Sequence, residues 1–243
     1  MKIETQNIYN SERPDNYVQV QTERSLIKLF STKPESFYSP VAAELTSLSN
    51  VNSRDWEETS MICMGTRNNA ERNHFRDLMG LESVFSLDIA DGAAAPALQS
   101  DQLLSDRYQE YLDEPQVRSG SPDEVKSREQ FIKYYISLFE TDFVMDFTSL
   151  PESWSDKWDL LYSNSLDHSY DPTATFREWV RVVKTGGYLA LGVSLEEEVS
   201  PTDPAAFKKQ DILKFLSAEA NVRFLSSVQE GGFETFIIEK IGM

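Results

Sequence analysis

The 243-residue chain carries 40 acidic against 23 basic side chains, a formal net charge of −17, with 40% hydrophobic residues. That size supports one sizeable core with appended segments, and the charge opposes an electrostatic grip on DNA, RNA or an anionic membrane, all of which are held through Lys and Arg. One cysteine, Cys63, excludes an intramolecular disulfide, and no stretch has the length and apolarity of a membrane span.

The opening residues, MKIETQNIYNSERPD, lack the apolar centre of a signal peptide, so a cytoplasmic location is expected. Residues 1 to about 20 are polar and unpatterned and read as a loosely held arm. Two amphipathic helices are expected around Glu23–Phe30 and Val41–Leu48, separated by breaks at Lys33-Pro34 and Ser39-Pro40. Together residues 1–57 form an N-terminal arm with covering helices, ahead of a domain spanning 58–243.

Ser60–Met64 reads as a buried strand ending at Gly65. Asn68 or Asn69 then caps a helix with Phe75, Leu78 and Met79 on one face and Gly80 past its end. Val84–Leu87 is a second strand, and Asp88 follows Gly65 by 23 positions. Strand, glycine turn, helix, strand and terminal acid outline a nucleotide-binding half, yet a dinucleotide fingerprint needs three glycines where this turn has one. A nicotinamide or flavin enzyme is therefore a poor fit.

Between Asp88 and Asp146 lie 57 residues, more than one crossover helix requires. An insertion is expected at about 91–141, containing an acidic helix over QLLSDRYQEYLDE and a crossover helix over Ser127–Phe139. Phe143–Met145 is a short third strand ending at Asp146.

The stretch from Trp158 to Val193 is a βαβ phrase. Leu160, Leu161 and Tyr162 form a strand covered on both faces; Asp171 caps a helix opened by Pro172 and carrying Phe176, Trp179, Val180 and Val183; Gly186 and Gly187 end it; and Tyr188–Val193 returns as a strand. Glu196–Pro204 is an acidic, proline-broken loop suited to substrate contacts or to plain connection. Asp211 caps a helix with Leu213, Phe215 and Leu216, and Val222–Val228 and Phe233–Glu239 close the chain as an antiparallel pair joined by QEGG.

Three phrases carry a resemblance: ICMGTRNNAERNHF followed by SLDIAD, then MDFTSLP, then YSNSLDHSYDPTATFREWVRVVKTGGYLAL. They resemble the class I S-adenosylmethionine-dependent methyltransferases, of the methyltransferase type 11-like group, with a GxRxxxE turn in place of GxGxG. The resemblance spans about residues 60–240. It implies an α/β fold: a doubly wound, mostly parallel seven-stranded sheet with an antiparallel last strand.

It also implies roles. Gly65, Thr66, Arg67 and Glu71 belong to the cofactor turn, where Arg67 would pair with the methionyl carboxylate in place of the missing glycines, or else point to solvent or pair Glu71. Asp88 would accept from both ribose hydroxyls, Ile89 and Phe147 would flank the adenine, and Asp146 would accept from its amine. Asn164 would lie beneath the methionyl part. Asp167 and His168 are the candidates for taking a proton from the acceptor, His168 being equally readable as a local structural element. His74 reads as a surface residue. With two histidines and one cysteine no zinc-ligand spacing exists, and no metal is expected.

The implied activity is methyl transfer from S-adenosyl-L-methionine to oxygen or nitrogen of a small molecule, without nucleic-acid or membrane partners. The alternative is a catalytically inactive relative binding a nucleoside or a protein partner through the same cleft. Oligomeric state is not legible in the sequence.

Overall fold

The computed structural model describes residues 1–31, 33–51, 58–113, 127–195, 199–230 and 232–242. In chain order these form β1 (Gln6–Asn7), α1 (Tyr17–Ile27), α2 (Glu35–Val51), β2 (Ser60–Met64), α3 (Ala70–Met79), β3 (Ser83–Asp88), α4 (Asp101–Asp113), α5 (Arg128–Ser137), β4 (Phe143–Val144), β5 (Trp158–Ser163), α6 (Pro172–Val182), β6 (Val183–Ser194), β7 (Ala205–Ala206), α7 (Lys209–Ala218), β8 (Val222–Glu230) and β9 (Phe233–Lys240).

Seven strands make one sheet in the order β4-β3-β2-β5-β6-β9-β8. Neighbours from β4 to β6 are parallel, and β9 runs antiparallel to both β6 and β8. This is the expected doubly wound sheet with an antiparallel last strand. The chain winds outward from β2 to β4 and then restarts at β5 on the other side of β2. The order therefore reverses between β2 and β5, and a crevice opens there at the strands' carboxyl ends.

Alternate residues of each central strand face opposite layers. Ile62, Met64, Leu161, Leu189 and Leu191 join Phe176 and Trp179 of α6 and Phe215 and Leu216 of α7. Met61, Cys63, Leu160, Tyr162 and Ala190 join Tyr38, Val41 and Leu45 of α2 and Phe75 and Met79 of α3. Covering on both sides explains why the strands are apolar throughout.

Two helix ends lie where the spacing predicts: Asp171 Oδ1 accepts from the Ala174 amide at 3.0 Å with Pro172 beside it, and Gly80 is left-handed after α3. Ser127, expected as the first residue of its helix, is instead the cap of α5, accepting from Gln130. Asn69 occupies the cap position of α3, but Asn68 supplies the side-chain oxygen, to Ala70 at 3.0 Å.

Other expectations are corrected. The arm is pinned: the Ile3 amide donates to Thr173 Oγ1 at 2.8 Å, Asn7 Nδ2 to the Tyr170 carbonyl at 2.9 Å, and β1 pairs antiparallel with β7. Its polar groups find partners more than 160 positions away, which local pattern cannot reveal. The first helix begins at Tyr17, not Glu23. Pro40 lies inside α2 instead of breaking it, because burial of Tyr38, Val41 and Leu45 against the sheet offsets the lost hydrogen bond and the ring's crowding of the preceding turn, together about 3 kcal/mol.

The second crossover helix ends at Val182, before the glycine pair. Val183 already pairs with Trp158, and the register slips before Leu160 meets Tyr188, so Lys184–Gly187 bulge within β6. Asp211 sits in the first turn of α7, where it complements the helix dipole; the cap position is Lys208. Of the expected insertion, α4 packs Tyr111 on Phe131 of α5 with ring centroids 5.0 Å apart, and residues 114–126 lie outside the described residues. So do 196–198 of the acidic loop and Gly231 of the closing turn.

Candidate functional site

Gly65 ends β2 with φ +74°, and a Cβ there would lie 2.4 Å from Ser165 Oγ, so only glycine lets the turns after β2 and β5 touch. Arg67 is also left-handed, at φ 59°. This twist aims its backbone amide at Asp88 Oδ2, 2.8 Å away, while Ala90 donates to Oδ1 at 3.1 Å and the Ser25 hydroxyl bonds the same carboxylate. Burial pushes the Asp88 carboxyl above the usual range, and these donors pull it back.

Two spaces meet at this turn. A cavity of about 290 Å³ is lined by Lys33, Tyr38, Thr66, Arg67, Glu71 and Asn164. Beside it a slot bordered by Asp88, Ile89, Asp146, Phe147 and His168 holds only about 10 Å³ of free space, and Tyr17, Gln21, Arg24 and Ser25 of α1 form the rest of its lining with the Gly65 turn. Gly65 and Arg67 line both. All but one of the expected cofactor and acceptor residues, Asp167 being the exception, therefore border one of two adjoining spaces at the switch point.

Glu71 is buried in the wall of the cavity. Its Oε1 accepts from Asn164 Nδ2 at 3.1 Å and from the Tyr38 hydroxyl at 3.3 Å, while Oε2 and Thr66 Oγ1 have no hydrogen-bond partner among the described residues. Desolvation raises the Glu71 carboxyl to about 7; Arg67 and the two hydrogen bonds oppose it. Two buried polar atoms lacking partners on the wall of a cavity are the kind of group that a ligand satisfies.

In the slot, Phe147 packs edge-on against Trp179, whose indole donates to the Phe147 carbonyl at 3.0 Å. Ile89 is half-buried opposite. Asp146 Oδ1 accepts from Thr148, and Arg13 forms an ion pair with Oδ2 at 3.1 Å.

His168 is buried with an orienting carboxylate: Asp203 Oδ1 lies 3.2 Å from Nε2, and Asp167 Oδ1 3.6 Å. Burial lowers the imidazole to about 4 even though the Asp203 hydrogen bond raises it, so the ring is neutral, the state that accepts a proton, at a cost in driving force near neutral pH. Asp167, His168 and Asp203 bring three ligand-type atoms within 4.8 Å of one another, an arrangement the histidine and cysteine spacing did not foretell. The positive charge among them is the guanidinium of Arg24, 2.5 Å from Asp203.

Asp203 belongs to the acidic loop expected either to contact substrate or merely to connect, with no sequence signal to single it out. Tyr17, Gln21, Arg24 and Ser25 carry none either, since their polar face toward the slot breaks no sequence pattern. His74, expected at the surface, is half-buried and stacks on Tyr38 at 5.2 Å.

Comparison with protein-family models finds no match, and comparison with curated proteins finds none either. Solved structures do match. One is from the complex between the Haloferax volcanii Trm112 methyltransferase activator and a candidate methyltransferase (14% identity, 95% of this chain and 100% of that one, TM-score 0.52). Another is Burkholderia thailandensis 1,6-didemethyltoxoflavin-N1-methyltransferase with bound S-adenosylhomocysteine (10%, 95% and 92%, 0.54). A third is the [4+2]-cyclase SpnF (16%, 93% and 97%, 0.53). At such identities the likeness speaks to architecture: this chain has the fold of the class I S-adenosylmethionine-dependent methyltransferases.

Proposed function

We propose that the protein is an S-adenosylmethionine-dependent methyltransferase acting on oxygen or nitrogen of a small molecule. The observation that carries this reading is the cavity beside the Gly65 turn, with Glu71 Oε2 and Thr66 Oγ1 buried on its wall without a hydrogen-bond partner among the described residues and Asp88 at the end of the next strand. Those two oxygens suit the α-ammonium of the cofactor's methionyl end, with Asn164 holding Glu71 in place, and Arg67 suits its carboxylate. Asp88 takes the ribose hydroxyls, Ile89 and Phe147 flank the adenine, and Asp146 takes the adenine amine. Occupation of the slot requires Ser25 and the Tyr17 and Arg24 side chains to withdraw.

The cofactor supplies an electrophilic methyl group for in-line displacement, so holding the acceptor in line is the main task left to the protein. His168, oriented by Asp203, and Asp167 are the groups proposed to receive the acceptor's proton. A net charge of −17 favours a small acceptor over nucleic acid. No helix of the described residues is long and apolar enough to cross a membrane.

One observation favours a second reading, a non-methylating relative that binds a nucleoside or a protein partner: the slot is closed and both oxygens of Asp88 are already engaged. That a [4+2]-cyclase shares the fold shows how far its chemistry ranges. Titration calorimetry with S-adenosylhomocysteine separates the two. Micromolar binding that Asp88→Asn weakens at least tenfold supports the methyltransferase; no binding at millimolar ligand overturns it.

A further inference from the structure

α1 presents the wrong face to the protein for a helix that serves only to cover a core. It exposes Ile27 (82%) and Val18 (43%) and buries Gln21, Arg24 and Ser25 with Tyr17. An amphipathic covering helix buries its apolar stripe, and the energy of that burial is what holds it down. Here the hold is largely polar, its apolar share being Leu26 against the Leu29, Ala95 and Leu98 cluster and the Tyr17 ring edge-on against Tyr170. Tyr17 donates its hydroxyl to the His168 carbonyl at 3.1 Å, Gln21 Nε2 donates to the Thr202 carbonyl at 3.1 Å, and Arg24 pairs with Asp203. Each of these groups recovers a water partner on undocking, so the net cost of release is small. Arg24 Nε is buried without a hydrogen-bond partner among the described residues, which lowers that cost further.

The flanks allow movement. On one side the chain is fixed by the β1–β7 pairing and by the Ile8 amide on the Pro204 carbonyl. On the other, the Leu29 carbonyl accepts from Asn68 Nδ2 at 2.6 Å. Between the first anchor and α1 lie Asn10 and Ser11, consecutive non-glycine residues at φ 50° and 66°, a left-handed pair that costs energy in this conformation and relaxes when the segment swings. What α1 covers is a slot bordered by a carboxylate, an aromatic ring and a histidine but reduced to about 10 Å³, where ligand pockets hold roughly 300 Å³ or more.

We propose that α1 is a displaceable plug, hinged at Asn10–Ser11 and latched by Arg24 to Asp203, that occupies the nucleoside slot in the free protein and must leave for the ligand to enter. The proposal rests on the cofactor reading above. It goes beyond that reading by making ligand entry conditional on opening a latch, so that association is slower than the ligand's diffusion would allow.

Hydrogen exchange of the α1 amides, measured in the free protein and with saturating S-adenosylhomocysteine, tests it alongside stopped-flow association of the same ligand with wild type and Arg24→Ala. Ligand is expected to speed exchange of the amides of residues 17–27 at least tenfold while slowing those of α3, and Arg24→Ala to raise the association rate about tenfold. If the ligand binds but α1 exchange slows, or Arg24→Ala leaves the rate unchanged, the plug is overturned and the cofactor reading stands. If neither protein binds the ligand, both fall. Should Arg24→Ala fail to fold, the wild-type exchange comparison decides alone.

Discussion

Asn164, just past β5, donates its side-chain amide to Glu71 of α3 at 3.1 Å across 93 positions of sequence. The bond locks the turn after β5 to the helix after β2 and leaves the second Glu71 oxygen facing the cavity. It also sets the environment in which that carboxyl titrates.

Glu71 makes stability depend on pH with a sign opposite to that of a salt-bridged acid. Its folded-state value of about 7 lies above the ordinary 4.5, so the unfolded chain releases the proton first and stability falls as pH rises from about 4.5 to 7. The difference corresponds to roughly 3 kcal/mol. Urea denaturation at pH 5 and pH 8 should show Glu71→Gln losing about that much less than wild type between the two; equal losses would count against a buried, raised Glu71. Because only the carboxylate pairs with an ammonium, Glu71 should also strengthen cofactor binding as pH rises through 7.

Gly65→Ala combines a left-handed backbone with a Cβ placed 2.4 Å from Ser165 Oγ. A loss of about 2–4 kcal/mol is expected in thermal or chemical unfolding. Gly80→Ala is the control: it is also left-handed, but its Cβ meets nothing within 4 Å, so a smaller loss is expected.

Arg67→Ala should weaken S-adenosylhomocysteine binding by about 10–100-fold if the guanidinium holds the methionyl carboxylate. The Asp88 hydrogen bond at this position comes from the backbone and survives the change. Calorimetry reads the effect, and an affinity equal to wild type removes Arg67 from the site.

His168→Ala should lower turnover by about 100-fold or more if the imidazole takes the acceptor's proton, with cofactor affinity little changed. Asp203→Asn should reproduce part of the loss by releasing the ring from its orienting partner. Turnover equal to wild type in His168→Ala would leave the histidine as a structural element under α1.

The sheet and its windings are legible in one dimension. Strands such as Leu160–Tyr162 and Met61–Met64 are apolar because both faces are covered, and the cap at Asp171 acts on an amide three residues away; both kinds of information are local and survive being read in one dimension. The end of α6 was less legible, since Val183 leaves the helix to pair with Trp158, a partner no helical pattern encodes. What lies over the cleft is set by contacts made on folding. Arg24 meets Asp203, and Ser25 meets Asp88, through polar contacts between segments far apart in the chain, and such contacts impose no periodicity on either partner. A site built from strand ends is written in the strands, whereas the helix that closes it is fixed only when the two ends of the chain fold together.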